Sequence, residues 1–295
     1  MKTLVTGGTG FVGPKVVHAL RAAGHDVRAL VRRRSRARQL EAWGSEVVEG
    51  DMTDAASLGR AAEGCEAVVH LVATITGPPE EFERVMSQGT RDLVARAQAA
   101  GVRRFVLMSA LGLSEQTKDL VPYYRGKWDM EQAVLGSTLE HVVMRPSFVF
   151  GRDGGTLPMF IRQVRWSPVT PIVGSGKTRL QPIWVEDVAS CFARAVDANV
   201  ANQTFELGGP DAVTWNELYE RIRRVLGARR VALHLPFGLV RAGAAVAERL
   251  PGPLVTRDQL TMLERSGDNV CDIGPAVAAF GIEPISLDEQ LRRAV

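Results

Sequence analysis

In the first half of the chain, short apolar runs alternate with stretches whose apolar positions recur at helical spacing. The runs are KTLVTG, DVRALV, EVVEGD, AVVHLVA, RFVLMSA and EHVVMRPSFVF. Only a few residues long and rich in β-branched side chains, they read as strands. Between them lie SLGRAAEG and GTRDLVARAQAAG, with Gly64 and Gly101 where helix C-caps belong. Alternation of this kind predicts an α/β fold built on a doubly wound parallel sheet.

Past Gly151 the alternation gives way to RDGGTLPMFIRQVRWSPVTPIVGSGKTRLQPI, rich in Gly and Pro and carrying Met159, Phe160 and Trp166. This stretch reads as an excursion on the substrate side. The helix VEDVASCFARAVD and the strand QTFELGG then return to the sheet, and the remainder after Pro210 is mostly helical. The expected division is a nucleotide-binding unit over residues 1–151, completed by about 178–208, and a smaller lobe from 152–177 and 209–295. Such a lobe would lie over the strand ends and form a cleft with the sheet.

Composition narrows the class. With 295 residues, 45% hydrophobic and 23% charged, the chain can bury a large core and is far from disordered. Net charge is only +3, and lysine occurs just five times, at Lys2, Lys15, Lys118, Lys127 and Lys177. Cys65, Cys191 and Cys271 lie far apart, with no spacing that suggests a disulfide framework or a metal site. The first apolar residues meet turn glycines too soon for a signal-peptide core, so a cytoplasmic protein is expected. The longest apolar tract, from Val231 to Val255, is broken by Pro236, Arg241, Glu248, Arg249 and Pro251. It therefore reads as a core or interface helix, with contact at a membrane surface as the alternative to a span.

The chemistry begins at LVTGGTGFVGPKVVHAL, where Gly7, Gly10 and Gly13 stand between a strand and a helix. Gly7 permits a tight turn, Gly10 lets backbone amides approach a diphosphate, and Gly13 lets helix and strand pack closely. Thr9, Phe11 and Val12 complete this loop, which predicts dinucleotide binding. About 20 residues on, where an acidic side chain would hold the 2′-hydroxyl of NAD, the sequence reads ALVRRR. Arg32 and Arg33 can instead pair with a 2′-phosphate, so NADP(H) is favoured over NAD(H). Arg34, Arg36 and Arg38 belong to a solvated face, and a nucleic-acid role recedes. Asp51, followed by Met52, is placed to meet the adenine amino group or to cap a turn. Leu71 and Ala73, at the end of the fourth strand, would line adenine and ribose, with core packing the plainer account of Leu71.

In VPYYRGKWDMEQ, Tyr123 stands four residues before Lys127, so the two share one helix face. The ammonium can then favour the phenolate, and the tyrosine can act as a general acid or base at a carbonyl or hydroxyl. Tyr124 lacks this spacing. His70 and His141 lie within strand patterns and read as core or strand-end residues.

With TGGTGFVG, GDMTD, VVHLVA, GTRDLVARAQAAGVRRFVLMSALG, PYYRGK, MRPSFVFG and QPIWVEDVA, most of the chain resembles the extended and atypical short-chain dehydrogenase/reductases of the epimerase/dehydratase type. The tail segments PLVTRDQLTML and FGIEPISLDEQL are similar to the subgroup that holds an accessory subunit of respiratory complex I and its bacterial relatives. The resemblance implies a Rossmann sheet, an active-site pair Tyr123 and Lys127, a Lys127 contact to the nicotinamide ribose, and Pro146 and Ser147 beside the carboxamide. Two positions depart from the pattern. Leu111 stands where a Ser or Thr donor is expected, leaving Ser109 to substitute from one turn position earlier. Met86 replaces an asparagine that supports the site.

Two functions follow as expectations. One is an NADP(H)-dependent oxidoreductase, with Tyr123 as proton donor and Lys127 lowering its pKa, acting on an apolar carbonyl or hydroxyl compound. Met159, Phe160, Trp166 and Trp184 suggest that apolar substrate, although core packing explains them equally well. The other is a non-catalytic subunit or assembly factor that holds NADPH and associates with a respiratory complex or the membrane periphery. No metal is expected, and oligomeric state stays open.

Overall fold

A computed structural model describes residues 1–248 and 256–295. Arg249 and Pro251 of the apolar tract, and the first residues of PLVTRDQLTML, lie outside the described residues. The strands β1 (Lys2–Thr6), β2 (Asp26–Val31), β3 (Glu46–Glu49), β4 (Ala67–His70), β5 (Arg104–Met108) and β6 (Glu140–Pro146) fall on the six apolar runs. β6 is followed by the short β7 (Val149–Phe150), β8 (Val169–Val173), β9 (Arg179–Leu180) and β10 (Ile183–Trp184), and then by β11 (Gln203–Leu207), β12 (Val213–Thr214) and β13 (Val231–Leu235).

The central sheet is parallel throughout, in the order β11-β6-β5-β4-β1-β2-β3. Its strands are apolar on both faces because helices cover both. Val5, Val69, Val106 and Val142 face a core shared with Val16, Val17 and Leu20 of helix Gly13–Ala22 and with Val188 and Phe192 of helix Val185–Asp197. Leu4, Val68, Phe105 and Val143 face the opposite core, beside Leu58, Leu93 and Met130. The order reverses direction between β1 and β4, and in open sheets of this kind the crevice at such a reversal binds ligands.

The excursion after Gly151 is more regular than its Gly and Pro content suggests. It forms helix Leu157–Trp166 and strand β8, and β8 pairs in parallel with β13. The short pairs β7–β10 and β9–β12, each a separate two-stranded sheet, tie this region together. Phe160 and Trp184 are buried in a third core with Phe150, Leu218 and Tyr219, and core packing accounts for them. Met159 packs at its edge, and Trp166 stays exposed. Helix Trp215–Val225 starts at a capping box in which Thr214 and Glu217 bond reciprocally. Helix Gly274–Phe280 returns to the main sheet, where the Phe280 ring meets Phe205 edge-on at 4.8 Å.

Candidate functional site

The glycine loop, Arg32 and Arg33, Asp51, Leu71, Ser109 and Ser147 each follow the carboxyl end of a parallel strand, β1 to β6 in turn, and Tyr123 and Lys127 pack beside the end of β5. The loop after β1 turns through Gly7, whose φ of 80° is costly for any side chain and whose Cβ would lie 3.0 Å from the backbone of Leu71 and Val72. That contact joins the ends of β1 and β4. At Gly13 a Cβ would lie 2.3 Å from the Gly7 carbonyl oxygen, so glycine is what lets the helix start against the loop. Gly10 is exposed, and its amide donates to the Gly7 carbonyl at 3.0 Å.

The first helical bond of this segment is Val16 N–H to Val12 C=O. The amides of Phe11, Val12 and Gly13 therefore have no backbone acceptor among the described residues, and they sit at the positive end of a ten-residue helix. Unpaired amides behind an exposed Thr9 and Gly10 fit a diphosphate. The Phe11 side chain turns away. It packs on Gly151, Gly154 and Gly155, where any Cβ would lie within 2.8 Å of its ring or closer.

Arg32 and Arg33 are exposed just past β2 and pair with no carboxylate among the described residues, whereas Arg34 pairs with Glu41 at 2.7 Å. Asp51 accepts from the Thr53 amide at 2.9 Å and its hydroxyl at 2.7 Å, which fixes a turn. Burial pushes the Asp51 carboxyl up, but these bonds together with Arg32 and Arg84 leave it below its ordinary value. Met52 and Leu71 are core side chains, and Ala73 is exposed at the β4 end.

Tyr123 and Lys127 lie on helix Pro122–Leu135, beside the end of β5. Lys127 is buried, donates to the Met108 carbonyl at 2.6 Å, and its Nζ lies 5.9 Å from the centre of the Tyr123 ring. Burial lowers its pKa to about 7, against the opposing pull of Glu131. Tyr123 moves the other way: burial, then the neighbouring Tyr124, raises its pKa. The expected lowering of the tyrosine pKa by Lys127 is not found; desolvation of the phenol sets the direction. Tyr124 is structural, buried with its hydroxyl 3.2 Å from Ser266 Oγ. His70 is fully buried between Thr6 and Thr90, and burial, with Lys127 nearby, lowers its pKa to about 3, so it stays neutral.

Ser109 is buried and its Oγ has no partner among the described residues. Leu111 is buried two residues further on, its amide bonded to the Pro146 carbonyl at 3.0 Å. Met86 is fully buried in a π-helical stretch, Glu83–Gln88, with its sulfur and methyl against Gly126. There it fills space beneath the Lys127 helix that a polar side chain would have to satisfy by hydrogen bonds.

Asn269 escaped the sequence reading. Its Oδ1 accepts from Ser147 Oγ at 2.5 Å, its Nδ2 reaches the Leu111 carbonyl at 3.4 Å, and its amide donates to Arg179. One side chain therefore ties the ends of β5 and β6 to the C-terminal segment. The only signal was a turn-like SGDN cluster, which carries no hint of a partner more than 100 residues away.

Two family models match the chain, one described as NAD(P)H-binding over residues 7–165 and one as the RmlD substrate binding domain over 112–295. Ceramide reductase of Caulobacter vibrioides is 35% identical over 82% of this chain and 76% of its own length. NADH dehydrogenase (ubiquinone) 1 alpha subcomplex subunit 9 of Arabidopsis thaliana is 32% identical over 55% of this chain and 41% of its own. The NADPH-dependent quinone oxidoreductase of Escherichia coli, solved with NADPH, superposes with a TM-score of 0.80 at 20% identity, covering 98% of each chain. Among the described residues no helix is long and apolar enough to cross a membrane. With the glycine loop, the parallel sheet and both family models in agreement, the chain belongs to the extended short-chain dehydrogenase/reductases and carries their NAD(P)-binding domain.

Proposed function

We propose that the protein is an NADP(H)-dependent reductase of an apolar carbonyl compound. The observation that carries this reading is the Tyr123–Lys127 pair, held on one helix face by the Lys127 bond to Met108 at the end of β5. The Tyr123 phenol, like any tyrosine, is protonated at neutral pH and so can serve as the proton donor in a reduction; burial raises its pKa and makes it the weaker acid, which leaves the driving force for proton transfer to the oxyanion that hydride delivery creates. A bound nicotinamide would supply the hydride. Lys127, titrating near 7, donates to Met108 and can present its remaining protons to a ribose hydroxyl. Ser109, with an unpaired buried hydroxyl, is the donor available to a substrate oxygen. Arg32 and Arg33, free of carboxylate partners, support a preference for the 2′-phosphate. The relative named as a ceramide reductase is consistent with this chemistry.

The test is NADPH oxidation against a panel of long-chain ketones and quinones with wild-type and Tyr123→Phe protein. Loss of turnover at least hundredfold with NADPH affinity kept is expected; unchanged turnover on every substrate that the wild type reduces would refute the role of Tyr123.

A second reading has its own support. Leu111 and Met86 are both buried apolar side chains where family members place polar ones, and one relative is a subunit of a respiratory complex. On that reading the chain holds NADPH for stability, and copurification with respiratory subunits without turnover would favour it.

A further inference from the structure

The small sheet formed by β8 and β13 has an outer face that breaks the usual pattern. Their register pairs Val231 with Val169, Leu233 with Pro171 and Leu235 with Val173, which puts these six side chains on one face. Thr170 and Ile172 point the other way into the core, and His234 reaches Asn216 at 2.8 Å. The outer face of a two-stranded sheet is normally polar, yet all six residues here are apolar. Val231 is 74% exposed and Leu233 46%. Trp166, three residues before Val169, is 77% exposed, and Leu239 on the following helix is 63% exposed.

Along the two chain segments that build this face the charge has one sign, and Glu264, on the helix that neighbours the Leu239 helix, is already paired with Arg241 at 2.6 Å. Between Asp153 and Glu186, and again between Glu220 and Glu248, the chain contains no carboxylate side chain. Arg162 and Arg165 precede Trp166, and Arg229 and Arg230 precede Val231, so the register brings both pairs to the same end of the small sheet. All four are exposed and none is paired with a carboxylate among the described residues.

We infer that this face docks on an anionic lipid bilayer, with Trp166, Val231, Leu233 and Leu239 entering the interfacial layer and the four arginines meeting lipid phosphates. The geometry suits that occupant better than the others. A second copy of this face offers the four arginines no carboxylate to meet, since neither segment carries one, and a nucleic acid would find no use for an apolar sheet face. Insertion of aromatic and aliphatic side chains beside a basic rim is how surface-bound proteins hold to acidic membranes.

The full-length protein is sedimented with vesicles of phosphatidylcholine containing one-third phosphatidylglycerol, and with phosphatidylcholine alone. Binding to the acidic vesicles at low salt, loss in high salt, and a blue shift of tryptophan emission are expected. Arg229→Ala with Arg230→Ala weakens binding roughly twentyfold at an unchanged melting temperature. Trp166→Phe keeps most of the binding and loses the blue shift. No sedimentation with the acidic vesicles, equal binding to the neutral ones, or full binding by the double arginine variant overturns the inference; the first result leaves an acidic protein as the partner of this face.

Discussion

Replacing Lys127 with methionine tests whether the site is held at a cost to the fold. Lys127 is buried with one hydrogen bond, to the Met108 carbonyl, and its pKa falls from 10.5 to about 7. At each pH between those values the unfolded chain holds a proton that the native state has lost, so native stability rises with pH across that window. Below pH 7 both states are charged and the whole penalty for burying the ammonium is present. At about 1.4 kcal/mol per unit, that penalty is on the order of 5 kcal/mol. Methionine removes it but forfeits the bond to Met108, worth about 1–2 kcal/mol. Lys127→Met should therefore stabilise the protein by roughly 3 kcal/mol at pH 6.5, or about 5 °C in Tm for a chain of this size. The gain should shrink to near zero by pH 9.5, where little of the penalty remains. Urea and thermal unfolding of both proteins at pH 6.5, 8 and 9.5 would measure it. A variant less stable than wild type at pH 6.5, or a difference that does not fall with pH, would refute this account of Lys127.

Three further outcomes are expected. Gly13→Ala should destabilise the fold by about 3 kcal/mol or more, because its Cβ meets backbone at 2.3–2.6 Å that cannot yield; Gly10→Ala meets only one atom, at 3.3 Å, and should melt within a degree or two of wild type while NADPH affinity drops in titration calorimetry. Glu131→Gln keeps one of the paired bonds of 2.8 and 2.6 Å from Arg145, turns the other acceptor into a donor facing the guanidinium, removes the charge of a fully buried carboxylate, and should cost about 3 kcal/mol in urea unfolding. Arg32→Ala combined with Arg33→Ala should weaken NADPH roughly ten- to hundredfold and leave NADH unchanged; equal loss for both coenzymes would sink the 2′-phosphate assignment.

Legibility in the sequence followed the range of the interactions. Gly7 and Gly13 could be assigned their jobs from seven residues of chain, since a turn and a helix start are local. Tyr123 and Lys127 could be paired because helical spacing alone puts them on one face. The phenol's raised pKa could not be foreseen, because it depends on how deeply the finished fold buries the ring. Phe160 and Trp184 were ambiguous for the same reason: an aromatic in a Gly- and Pro-rich stretch looks alike whether it lines a cleft or a core. Asn269 was invisible, since its partners Ser147 and Leu111 are brought to it only by the folded chain.

The sequence by itself determined the strand–helix alternation and the glycine loop, because each rests on hydrogen bonds and sterics among near neighbours, and the alternation in turn called for a parallel sheet, since each helix carries the chain back to start the next strand in the same direction. Tertiary structure decided which side chains lost water, and with them the protonation of Tyr123 and Lys127. It also set six apolar side chains of β8 and β13 on one outer face, since register between strands nearly 60 residues apart is fixed only when both have found their place.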